Sequence, residues 1–123
     1  HVRAVSGGFS DVLVPALRDL GFAGEDIFAN RFVWEGETVA GIDTGNPLSD
    51  NGGKPRILAG LRSKTQYAAV WMIGDGITDL ETLTVGAADH FIGFGGIARR
   101  EAVVERAPDY AGTLDDLRHL LLG

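Results

Sequence analysis

Val70-Trp71-Met72-Ile73-Gly74-Asp75-Gly76-Ile77-Thr78-Asp79 is the stretch from which the rest of the chain can be read. An apolar run enters and stops at Gly-Asp-Gly, the pattern of a buried strand passing into a tight turn. Two acids, Asp75 and Asp79, then stand four apart at the mouth of the next helix. Ligands bind at the carboxyl ends of strands in open α/β sheets. Paired carboxylates placed there suit a hard cation such as Mg²⁺. The same letters also fit a surface turn in which Asp79 caps the helix. The local pattern does not choose between the two.

Working outward, strands and helices alternate. His1–Val5 reads as a strand closed by Ser6-Gly7-Gly8, with a helix over residues 9–20 whose apolar stripe is Val12, Leu13, Ala16, Leu17 and Leu20. Pro15 falls inside that helix and should cost a hydrogen bond or kink it. A short strand covers residues 26–29. Residues 31–34 and 38–42 flank Glu35-Gly36-Glu37 and predict a β-hairpin. A loop rich in Gly, Asn, Ser and Pro leads to Lys54 and Pro55, which open a helix reaching about Ser63.

The strand before Asp75 is read from Tyr67 and as central, so Trp71 is expected in the sheet core. A short helix over 80–85, a strand over 89–94, a helix over 98–106 and a brief strand at Tyr110 follow. The last helix is capped by Thr113, with Asp116 in the capping-box position. This alternation predicts an α/β fold: a Rossmann-like parallel sheet with flanking helices and one β-hairpin, as a single domain over residues 1–123.

Composition narrows the function. Net charge is −6 and no basic cluster stands out, which argues against a nucleic-acid surface. No apolar run approaches the roughly 20 residues that cross a bilayer, so no membrane partner is expected. Cysteine is absent, which excludes disulfides and thiolate metal sites and fits a reducing compartment. The chain opens on His1 and its one methionine is Met72, so an upstream segment is expected.

Three termini carry chemistry. Ser6-Gly7-Gly8 offers a hydroxyl and open backbone N–H groups, a cradle for phosphate. Lys54 offers a point charge for the same anion. Asp75 and Asp79 offer metal ligation or orientation. Together they suggest phosphate with a divalent cation, hence phosphoryl transfer. A second enzyme class competes through Gly93-Phe94-Gly95-Gly96-Ile97-Ala98, which fits the dinucleotide fingerprint, although no acid stands at the end of a following strand.

Ser6-Gly7-Gly8-Phe9, Phe28-Ala29-Asn30-Arg31, Gly52-Gly53-Lys54, the run Met72–Glu81 and the run Ala88–Gly96 together resemble the phosphoserine phosphatases of the haloacid dehalogenase superfamily. The resemblance covers the whole chain in order. It implies a Mg²⁺-dependent phosphomonoester hydrolase acting on O-phosphoserine in the cytoplasm. Ser6, Gly7, Gly8, Lys54 and Thr78 would hold the phosphoryl group, Asp75 would ligate Mg²⁺, and Asp79 would orient the metal shell or Lys54. Arg100 stands where the family often has an arginine, without an assigned role.

One departure stands out. The family's first motif, Asp-x-Asp, which supplies the nucleophile and the general acid/base, occurs nowhere in this sequence. Glu35-Gly36-Glu37 imitates it only in a hairpin turn. The resemblance therefore implies a core lacking its first strand. It implies that this chain alone hydrolyses no phosphoserine, and that an N-terminal segment or another copy completes the sheet. A non-catalytic phosphate- or Mg²⁺-binding module is the alternative.

Overall fold

The structure is a computed structural model describing residues 1–123. The chain divides into two compact units, His1–Ile57 and Leu58–Gly123.

In the first unit, β1 (Ala4–Phe9) and β2 (Ile27–Asn30) pair in parallel, with α1 (Ser10–Asp19) as the crossover that parallel pairing requires. Helix α1 runs through Pro15 to Asp19. Its expected apolar stripe is only half realised. Leu13 and Leu17 are half-buried, whereas Val12 and Leu20 are exposed, because residues 12, 16 and 20 lie on a different line of the helix from 13 and 17.

The hairpin forms as expected, from β3 (Phe32–Glu35) and β4 (Thr38–Ile42). Gly36, at φ +60°, takes the left-handed position of its two-residue turn. Phe32 stacks on Phe9 at 3.9 Å between ring centroids, tying the hairpin to the end of β1. After β4 a single 3₁₀ turn, Pro47–Ser49, is closed by Asn46, whose side chain accepts from the Leu48 N–H at 3.0 Å. Helix α2 (Gly53–Lys64) then carries the chain onward.

The second unit holds a parallel sheet in the order β5-β6-β7: β5 (Trp71–Gly74), β6 (His90–Phe94) and β7 (Asp109–Ala111). Helices α3 (Ile77–Thr84), α4 (Glu101–Arg106) and α5 (Leu114–Leu122) follow these strands in turn. The middle strand is β6. Its Phe91 and Ile92 are wholly buried, the run of adjacent apolar residues that a parallel strand covered on both faces requires.

Here the structure corrects two expectations. The strand before Asp75 begins at Trp71, not Tyr67, and it lies at the edge of its sheet. With no strand pairing beyond it, Trp71 is 44% exposed instead of in the core, and stacks on His90 at 4.1 Å. Likewise α4 starts at Glu101, not Ala98, since residues 98–100 stay irregular. No helix is long and apolar enough to cross a membrane.

Candidate functional site

In the first unit, Ser6, Gly7 and Gly8 lie within β1, not in a turn after it. The pairing of β1 with β2 is irregular between Val5 and Phe9. Within this stretch the Ser6 hydroxyl accepts from the Gly8 N–H at 3.0 Å, a local side-chain bond inside the strand. Lys54 is the second residue of α2, half-buried. Gly53 before it is buried against the Pro47–Leu48 backbone so closely that a Cβ would lie 2.8 Å from Leu48 Cα.

In the second unit, Asp75, Thr78 and Asp79 surround the start of α3. Gly76 is the N-cap in extended conformation, and Asp79 occupies the third helical position. Asp79 is 5% exposed, and its carboxylate accepts from the Gly76 N–H at 3.1 Å. Its backbone carbonyl accepts from the Thr82 hydroxyl at 2.6 Å. Gly74 has no side chain for a physical reason: a Cβ there would overlap the Asp79 carboxylate. The tight turn expected at Gly-Asp-Gly is thus folded around Asp79. The acid acts from inside the first turn, while Gly76 takes the capping position.

Asp75 meets other surroundings. It directly follows β5, and its side chain is 45% exposed. Arg100, from the segment before α4, donates to its Oδ2 at 3.3 Å. Thr78 is exposed at the second position of α3. An open carboxylate at a strand end is the donor type Mg²⁺ takes, together with water and phosphate oxygens. No group of three or more His, Cys, Asp or Glu side chains is arranged so that it could hold a metal ion by itself. Asp75 therefore fits as one oxygen ligand of a set that these residues do not fill alone.

Two residues gained a role only from the structure. Arg100 pairs with Asp75. Asn30, which closes β2, is buried and donates from Nδ2 to the carbonyls of Gly7 and Leu48, both at 2.9 Å. A polar residue at the end of an apolar strand was the sequence signal for the second.

The Gly93–Ala98 run has another explanation. A Cβ at Gly93 would sit 2.7 Å from the Tyr110 ring, and one at Gly95 would overlap the Tyr110 hydroxyl. Both glycines make room for Tyr110, so the fingerprint spacing is accounted for by packing.

No family model matches the chain. Among curated proteins it is similar to the chloroplastic phosphoserine phosphatase of Arabidopsis thaliana, 41% identical over 108 residues, covering 86% of this chain and 36% of that protein. It is also similar to phosphoserine phosphatase of Homo sapiens, 38% identical over 112 residues, covering 89% of this chain and 48% of that protein. A solved structure of a phosphoserine phosphohydrolase-like protein from Francisella tularensis superposes with a TM-score of 0.88 at 26% identity, covering 98% of this chain and 55% of that one. In sequence and in fold the chain is kin to the phosphoserine phosphatases and has their haloacid-dehalogenase-like architecture, over a stretch amounting to less than half the length of these curated relatives.

Proposed function

We propose that residues 1–123 are part of one haloacid-dehalogenase-like hydrolase core whose complete form removes phosphate from O-phosphoserine in the cytoplasm with the help of Mg²⁺. The observation that carries this reading is the α3 entrance: an accessible Asp75 at the end of β5, beside an Asp79 buried inside the turn. The names of the relatives support the hydrolase class.

In this reading Ser6 donates its hydroxyl to a phosphoryl oxygen, the β1 backbone at Gly7 and Gly8 shapes the cradle, and Thr78 adds a second hydroxyl. Lys54 neutralises the phosphate. Asp75 holds the metal, and Asp79 keeps the turn that presents Asp75. When bound, Mg²⁺ would stabilise charge on the transferring phosphoryl oxygens. Arg100 must share Asp75 with the cation, and its exposed, solvent-screened pairing makes that exchange inexpensive.

The nucleophile is not among these residues, because the sequence holds no Asp-x-Asp. We assign it to a strand supplied by an N-terminal segment or by another copy. Two features support this: β1 has a strand partner on one side only, in its pair with β2, and β5 on one side only, in its sheet.

The test is turnover of O-phosphoserine. The pure chain with Mg²⁺ should release no phosphate. Adding a peptide or domain that carries the missing strand should restore release, and Asp75→Asn should abolish it. Mg²⁺-dependent turnover by the pure chain would overturn the assignment of the nucleophile. Phosphate binding that never becomes turnover on complementation would favour the non-catalytic binding module.

A further inference from the structure

Asn30 is 6% exposed and makes two hydrogen bonds through one nitrogen, to Gly7 O and to Leu48 O, each 2.9 Å. Two carbonyls at that distance fix the amide's orientation, since an oxygen in the same place would face two acceptors. The other end, Oδ1, is buried with no protein partner. The side chain is therefore held by the two carbonyls alone.

The first carbonyl leads to Ser6. The peptide joining Gly7 and Gly8 is planar, so its C=O and N–H point in opposite directions. Gripping the Gly7 oxygen turns the Gly8 N–H toward the Ser6 hydroxyl, 3.0 Å away. Ser6 thus accepts from inside the protein and keeps its O–H proton to donate outward. Successive bonds along such a chain polarise one another in the same sense.

The second carbonyl leads to Lys54. Leu48 belongs to the 3₁₀ turn on which Gly53 rests, with a would-be Gly53 Cβ 2.7 Å from Pro47 C and 2.8 Å from Leu48 Cα. Gly53 is the first residue of α2, and Lys54 is the next. One buried amide therefore ties the serine-bearing strand to the seat of the lysine-bearing helix. All of these residues belong to the first unit.

We propose that Asn30 is a positioning residue of the phosphate site: it sets Ser6 as an outward donor and fixes the start of α2 relative to it. The proposal rests on the phosphate reading above. Its test is titration of the 123-residue chain with inorganic phosphate and Mg²⁺, followed by calorimetry and amide NMR. Asn30→Asp keeps the shape but sets an oxygen against the two carbonyls.

Asn30→Asp should weaken phosphate binding by about tenfold, the scale of losing one hydrogen bond to a charged group. Ser6→Ala should lose no more than that, since it leaves the seat of Lys54 in place, and the double variant should be no worse than about Asn30→Asp alone. The control is Asn46→Ala. Asn46 ties the same loop to β2 through the Ala29 carbonyl at 2.7 Å without touching the Gly7 peptide. It should lower the melting temperature yet leave the effect of Ser6→Ala intact.

Wild-type affinity in Asn30→Asp, or losses that multiply with Ser6→Ala, would overturn the proposal. If Asn30→Asp does not fold, the wild-type chain decides. The Asn30 side-chain amide and the Gly8 amide should shift with the same midpoint as Ser6, and an Asn30 that stays still while Ser6 responds would overturn it. Wild-type chain that binds no phosphate would overturn the phosphate reading, and this proposal with it. Failure of the proposal alone would leave wild-type binding in place and indifferent to Asn30.

Discussion

Asp75 and Asp79 are the same chemical group four positions apart, and burial separates them. Asp79 satisfies the Gly76 N–H from within the turn, so Asp79→Ala should cost about 1–2 kcal/mol of stability, read by thermal or denaturant unfolding. Asp75 holds no such bond to its own turn, and its partner is the exposed Arg100. Asp75→Asn should therefore leave the melting temperature close to wild type. Equal losses for the two variants would contradict the division of roles. Tyr110 gives a second test. Its hydroxyl is buried without a partner, so Tyr110→Phe should be neutral or stabilising. Gly95→Ala, which drives a methyl into that hydroxyl, should lose about 1–3 kcal/mol and recover part of it when combined with Tyr110→Phe. Measured unfolding free energies of the two singles and the double check both statements.

Elements were legible where the controlling interaction is local. Thr113 caps α5 with its hydroxyl on the Asp116 N–H at 3.1 Å, and the Asp116 carboxylate returns to the Thr113 N–H at 2.9 Å, the box that the sequence spells out. The hairpin and the β6 core were legible for the same reason: turn glycine and apolar run act on their own neighbours. The misreadings fall where a distant group decides. Nothing near Tyr67 announces that regular pairing starts only at Trp71. The lead-in to that strand is held by Asp89, which accepts from the Val70 N–H at 2.7 Å and from Arg62 at 2.9 Å. These bonds, Arg62 first and Val70 second, hold the Asp89 carboxyl below its ordinary pKa. A depressed folded-state pKa gives stability that is present above the unfolded value, about 3.9, and is lost as pH falls through the folded one. Asp89→Asn should thus melt earlier than wild type near neutral pH, with the gap closing in strong acid. A gap that persists unchanged at low pH would contradict this account of the junction.

At the scale of the whole chain, the alternating pattern predicted parallel strands with flanking helices, and the structure has them. Of the proposed site residues, Lys54 and Asp75 stand at element ends as their sequence context suggested, whereas Ser6 lies inside β1. What was not legible is how each is held, because Asn30 and Arg100 act through contacts distant in sequence and Gly53 through a close approach to the Pro47–Leu48 backbone. The edge strand β5 carries exposed Trp71 and Ile73, 44% and 38% accessible. An unpaired apolar edge invites another strand, so the chain should associate as its concentration rises, and Ile73→Lys should reduce that association in sedimentation. Identical sedimentation of the two would mean that the edge is inert. The most direct test of the phosphatase reading joins residues from both units in one experiment: calorimetric titration of inorganic phosphate into the chain with and without Mg²⁺, for wild type, Lys54→Ala and Asp75→Asn. The reading predicts Mg²⁺-enhanced binding that weakens at least about tenfold in each variant. Absence of binding, or binding that ignores both substitutions, would contradict it.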